Sequence, residues 1–102
     1  RPMGYKEIIT DAISNRLCLD VRYKNRLRRV EPYVLGKAAD GKLLLLCYQI
    51  SGGSESGQSA GWKMLSLAQL QAIEITPARF AGGRLAYGQK TKAMQTILAR
   101  LP

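Results

Sequence analysis

Arg22-Tyr23-Lys24-Asn25-Arg26-Leu27-Arg28-Arg29 places five cations in eight residues with no acid among them. Val30-Glu31-Pro32-Tyr33-Val34-Leu35-Gly36 follows. A short turn, Ala39-Asp40-Gly41, then leads into Lys42 and the apolar run Leu43-Leu44-Leu45-Leu46-Cys47-Tyr48. The stretch reads as successive antiparallel strands whose first hairpin is strongly basic. Upstream, Leu17, Leu19, Val21 and Tyr23 alternate with Cys18, Asp20 and Arg22, the period-two pattern of a half-buried strand. Lys24-Asn25-Arg26 is the predicted turn, since Asn tolerates positive φ. The second strand is expected from about Arg28 to Leu35. Within it Pro32, lacking an N–H, marks an edge or a bulge. Asp40-Gly41 is a strong hairpin signal. The third strand, Lys42 to Ile50, is apolar on both faces and is expected to be central.

The flanks extend this sheet. Tyr5, Ile8, Ile9, Ala12 and Ile13 recur at the spacing of one helical stripe, which predicts a helix from Tyr5 to Ser14. Gly4 serves as its N-cap, and Asn15 is suited to the left-handed conformation that ends a helix. Ser51 to Gly61 is a Ser/Gly-rich flexible loop, read as a spacer, with a lid over a binding face as the alternative role. Trp62 to Leu67 is read as a fourth strand, Ala68 to Leu70 as one helical turn, and Ala72 to Thr76 as a fifth strand ended by Pro77. Met94, Ile97, Leu98 and Leu101 give Lys90 to Leu101 the stripe of a second amphipathic helix. Residues 1–80 thus read as a helix plus a sheet, and residues 81–102 as a linker and helix. That tail belongs to the same domain or serves self-association.

Composition narrows the functional classes. A chain of 102 residues forms one domain with a modest core. Its net charge of +9 favours anionic partners, although charge also serves solubility. Cys18 and Cys47 stand far apart, outside any metal-ligand spacing, and read as reduced thiols. With no histidine, the commonest metal ligand is missing. No nucleophile–base pair, paired-carboxylate motif or P-loop is present, so neither an enzyme nor a cofactor is expected. The run Leu43 to Tyr48 is too short to cross a bilayer, and the first residues lack the apolar region of a signal peptide. The expectation is a cytoplasmic protein without a membrane partner.

Short bent strands in this order close most readily into a small barrel that hides its edges. The arrangement looks like a five-stranded antiparallel Sm-like or SH3-like barrel, mainly β, with an N-terminal and a C-terminal helix. The chain also resembles the WYL domain, a bacterial module with an Sm-like fold. Arg29-Val30-Glu31-Pro32 matches the family's arginine–x–x–proline signature, and Tyr33-Val34-Leu35 follows it. After Gly41-Lys42, where the family carries Trp-Tyr-Leu, this chain has Leu43-Leu44-Leu45. Lys63-Met64-Leu65-Ser66-Leu67-Ala68-Gln69-Leu70 stands in the later family pattern. There lysine replaces the first arginine and glutamine the second. Phe80 falls where the family often has phenylalanine. The usual helix-turn-helix partner is not among these residues, so the resemblance implies a stand-alone or excised domain. It also implies a regulator that senses nucleotides or binds nucleic acid through basic residues, with Arg29 and Lys63 at two of those positions.

The candidate anion site is therefore Arg22, Lys24, Arg26, Arg28 and Arg29, joined by Lys63 if the barrel closes. Guanidinium groups suit phosphate because they offer paired donors in one plane. Trp62 and Tyr33 are candidate stacking faces for a base, with core packing as the ordinary alternative role of each. The leading expectation is a non-catalytic regulatory module binding nucleic acid or a nucleotide-like anion. The alternative is a protein-interaction module, a homo-oligomer formed through a barrel edge or the C-terminal helix.

Overall fold

The computed structural model describes residues 4–52, 60–84 and 91–101. The element order is helix α1 (Tyr5–Asn15), strands β1 (Leu17–Tyr23), β2 (Arg26–Lys37), β3 (Leu43–Gly52) and β4 (Gly61–Ser66), a 3-10 turn (Leu67–Gln69), then strands β5 (Leu70–Arg79) and β6 (Thr96–Arg100). The strands form one antiparallel sheet in the order β4-β3-β2-β1-β5, and β6 pairs β2. Among the described residues six strands replace the expected five. The sheet is not closed into a barrel, because β4 and β5 are the two ends of its path.

The long strand β2 is the axis. Along one side it pairs β3 from Arg28 to Lys37. Its other side is shared: β1 takes Arg26 to Val30, and β6 takes Val34 to Lys37. The two halves meet at Pro32, where the register against β3 shifts between Pro32 and Val34. A residue without an N–H fits such an irregularity. Both faces of β2 are covered from Val30 to Gly36, so this strand carries the core with β3 and the apolar stripe of α1. Ile9, Ala12 and Ile13 are buried there, with Leu19, Val21, Val30, Leu35, Leu45 and Leu65.

Three expectations are corrected. Among the described residues the C-terminal helix is absent: residues 91–93 make a single 3-10 turn, and Thr96–Arg100 is a strand. The half of β2 beyond Pro32 has no β1 partner, and unpaired backbone groups buried there would be costly. A strand supplies N–H and C=O groups to that edge, which a helix cannot. Met94 and Leu101 of the predicted stripe are buried, whereas Ile97 and Leu98 are each 38% exposed.

Pro77 does not end β5. The Thr76 hydroxyl donates to the Cys18 carbonyl at 2.9 Å and accepts the Ala78 N–H at 3.2 Å, while the register against β1 shifts between Leu17 and Leu19. The proline sits in that irregularity, and the strand resumes. Helix α1 closes on Arg16 rather than Asn15. Arg16 has φ 54°, and its N–H caps Ala12 and Ile13. This backbone conformation is unusual for arginine. It is held by Phe80 N–H donating to Arg16 O at 3.0 Å and Arg16 Nη1 donating to Ala81 O at 2.5 Å.

Most of the predicted Ser51–Gly61 spacer lies outside the described residues, but its ends are strand residues of β3 and β4. Lys90 of the predicted helix also lies outside them. No helix among the described residues is long and apolar enough to cross a membrane.

Candidate functional site

The basic hairpin folds as a two-residue turn. Lys24 (φ 51°) and Asn25 (φ 62°) both have positive φ, the backbone signature of the hairpin turn that matches strand twist. Asn25 and Gln71 exchange hydrogen bonds: Asn25 N–H donates to Gln71 Oε1 at 2.7 Å, and Gln71 Nε2 donates to Asn25 Oδ1 at 2.9 Å. The turn is thereby pinned to β5, a restraint that the local sequence did not reveal. Tyr23 fixes the neighbouring element. Its hydroxyl donates to Gln69 Oε1 at 3.0 Å and accepts the Ser66 N–H at 3.2 Å.

The five hairpin cations have three different fates. Arg22, Lys24 and Arg26 are exposed around the turn. Opposed residues share a face, so Arg22 lies with Leu27 on one side and Arg26 with Tyr23 on the other. Arg29 is forked onto Asp20, with Nε–Oδ1 at 2.7 Å and Nη2–Oδ2 at 3.0 Å. That hydrogen bonding holds the Asp20 carboxyl below its ordinary range.

Arg28 turns inward and is only 6% exposed. Its guanidinium lies 5.1 Å from the Tyr23 ring centre, donates to Tyr23 O at 3.3 Å and reaches Gln49 Oε1 at 3.5 Å, while its Nε is buried without a partner. It is a core cation among neutral groups rather than a surface donor. Lys63 is half-buried on β4 opposite Cys47, which itself faces Pro32, so it stands at the far half of β2 from the turn. The structure therefore leaves Arg22, Lys24 and Arg26 exposed around the turn on its two faces, with Arg29 on the face of Arg22 but engaged by Asp20, Arg28 turned inward and Lys63 remote.

A cleft of about 670 Å³ lies elsewhere, within the range of small-molecule sites. It is lined by Glu31, Tyr33, Tyr48, Trp62, the segment Ala81 to Gly83, and Arg84. Three adjacent strands set it up, since Glu31 of β2 opposes Tyr48 of β3, which opposes Trp62 of β4. Trp62 stands nearly perpendicular to both tyrosines, its ring centre 4.9 Å from Tyr33 and 5.4 Å from Tyr48. Tyr33 is fully buried, also packs on Phe80 and accepts the Arg84 N–H at 3.3 Å. It is a wall of the core and offers no open stacking face, whereas Trp62 is half-exposed. Comparison with family models, curated proteins and solved structures finds no match. The site therefore rests on its own geometry.

Two of its residues escaped the sequence reading. Glu31, 9% exposed, looked like one acid inside a signature rather than the floor of a cleft. Arg84 follows Gly82-Gly83 in a stretch read only as a linker. Gly82 has φ 78°, which glycine adopts without strain. Among the described residues, no three His, Cys, Asp or Glu side chains come together as a metal site would require. Burial pushes the Cys47 thiol up to about 12 and also raises Cys18, so neither is an activated nucleophile at neutral pH.

Proposed function

We propose that this chain is a non-catalytic regulatory module that binds nucleic acid or a nucleotide-like anion, with the β1–β2 turn as its phosphate contact. The observation that carries this reading is the exposed triad Arg22, Lys24 and Arg26 on a turn locked to β5 through Asn25 and Gln71. A fixed turn presents its charges without a large ordering cost on binding. The net charge of +9 adds long-range attraction to any polyanion. Trp62, half-exposed on β4, is the aromatic left for a base. The WYL-like part of this reading rests on the Arg29-Val30-Glu31-Pro32 motif of the sequence. The observed order of helix, strands, single 3-10 turn and strand supports our reading of a small Sm-like module, here with an open sheet.

The test is a titration of a labelled single-stranded oligonucleotide at several salt concentrations. Three phosphate contacts predict log K falling against log salt with a slope of about −2. Replacing Arg22, Lys24 and Arg26 together by Ala flattens that slope and weakens binding to all sequences alike. Arg29→Ala changes it far less, because Arg29 already serves Asp20. An unaltered slope in the triple variant removes the turn from the site.

A second reading, a homo-oligomer joined through strand edges, is favoured by the outer edges of β4 and β5 at the ends of the sheet path and by exposed Ile97 and Leu98 on β6. Its mark is a mass that rises with concentration, together with no affinity for the oligonucleotide.

A further inference from the structure

The cleft on β2, β3 and β4 already holds a charged group, and that group belongs to the chain itself. Arg84 Nε donates to Glu31 Oε1 at 2.8 Å and Nη2 to Oε2 at 3.4 Å, a forked pairing. The same guanidinium carbon stands 3.6 Å from the centre of the Tyr48 ring. Carboxylate below and aromatic face alongside are the two groups that recognise a planar cation.

The walls and the occupant are held in different ways. Glu31, Tyr48 and Trp62 are fixed by strand pairing, and the Glu31 side chain is 12% exposed. Arg84 arrives from outside the sheet behind two glycines; its backbone N–H is tied to the Tyr33 hydroxyl at 3.3 Å, while its side chain is 39% exposed. A carboxylate this buried needs a cation. Nothing in the walls requires that the cation come from the same chain.

We propose that this cleft is a guanidinium-binding seat, filled in cis by Arg84 and able to take the arginine side chain of a partner peptide in its place. The forked carboxylate contact selects arginine over lysine, whose ammonium is a point donor. With a net charge of +9 on the chain, the fitting peptide carries neutral or acidic residues around its arginine. This inference does not depend on nucleic-acid binding.

Trp62 is the single tryptophan of the chain and forms a wall of the seat, so its fluorescence reports occupancy directly. The probe is N-acetyl-arginine amide, titrated into Arg84→Ala. The expected result is a saturable change with a Kd on the order of 1 mM, as befits so small a ligand. The lysine counterpart binds about tenfold more weakly, and so does the arginine probe to wild type, where Arg84 competes at high local concentration. Adding Glu31→Gln to Arg84→Ala abolishes the response. The probe also raises the melting temperature of Arg84→Ala but not that of the double variant. If Arg84→Ala does not fold, Arg84→Lys keeps a cation over Glu31 without the fork and must show the same exchange. Equal binding of the arginine and lysine probes, or no saturable response in a folded variant, overturns the proposal.

Discussion

Arg28 and Cys47 show how one residue's surroundings can reverse its obvious role. Arg28 belongs by sequence to the most basic stretch, yet it lies buried beside Tyr23 and Gln49. Such a cation keeps its charge at high cost and depends on every hydrogen bond it makes. Cys47 is buried, with its Sγ donating to Lys63 O at 3.7 Å. Its folded value of about 12 lies above the unfolded one near 9. The folded state therefore keeps a proton that the unfolded chain gives up. Stability from this group is unaffected below about pH 8 and falls as pH rises through 9 toward 12. Urea unfolding followed from pH 8 to pH 11 should show this decline, shallower in Cys47→Ala by up to about 1.4 kcal/mol per pH unit. Thiol reagents at pH 7.5 should leave Cys47 unmodified until the chain unfolds. Rapid alkylation of the native protein would contradict that burial.

At the scale of elements, the least expected feature is β6. Its docking depends on Gly36, where an added Cβ would fall on Met94 and within 2.8 Å of the Thr96 carbonyl oxygen. The methionine side chain can move aside; the β6 backbone cannot do so without leaving its partner. Gly36→Ala should therefore cost about 1–3 kcal/mol. It should also speed amide exchange across 96–100 more than across β1 or β3. Uniform exchange throughout the sheet would mean that β6 is held by something other than this close approach. Gly52 approaches β2 in the same way at the other end of β3, where φ is 105° and a Cβ would meet the backbone of Leu27 and Arg28. The two glycines let β2 be contacted tightly at both ends of its pairing with β3.

For the molecule as a whole, charge and fold pull against each other. Acids are few, and three of them are engaged by Arg29, Arg84 and Lys42. The cations around the turn repel one another, and salt screens that repulsion. The urea midpoint should rise as sodium chloride is raised from about 20 to 300 mM, across which the Debye length shortens severalfold. Oligonucleotide affinity should fall over the same range. Opposite signs in one buffer series separate folding from binding. A midpoint that falls with salt would mean that attractive pairs such as Asp20–Arg29 dominate the electrostatics.

Much of this was legible in the residues. Alternation set β1 to its end residues, and the apolar run of β3 placed it between two partners. The stripe of α1 gave its buried face, and Asn25 gave its positive φ. These are local decisions, made by side-chain periodicity and by backbone preference over a few residues. The candidate site was half legible. The density of cations was plain, but which of them remain exposed was not, because the direction of Arg28 and the partner of Arg29 depend on strand register. The tail misled for the same reason. Met94, Ile97, Leu98 and Leu101 satisfy helical spacing, and no local preference outweighed it. What decided for a strand was the buried edge of β2 beyond Pro32, a demand set by the way β2 pairs with β1 and β3 and not by the tail's own residues. The cleft likewise joins Glu31, Tyr48, Trp62 and Arg84 from four separate parts of the chain. The sequence by itself determined where the chain would be strand or turn along most of its length, and that it would carry a strong positive charge. Tertiary structure alone decided which groups that charge meets, because pairing partners and burial are fixed by the whole sheet.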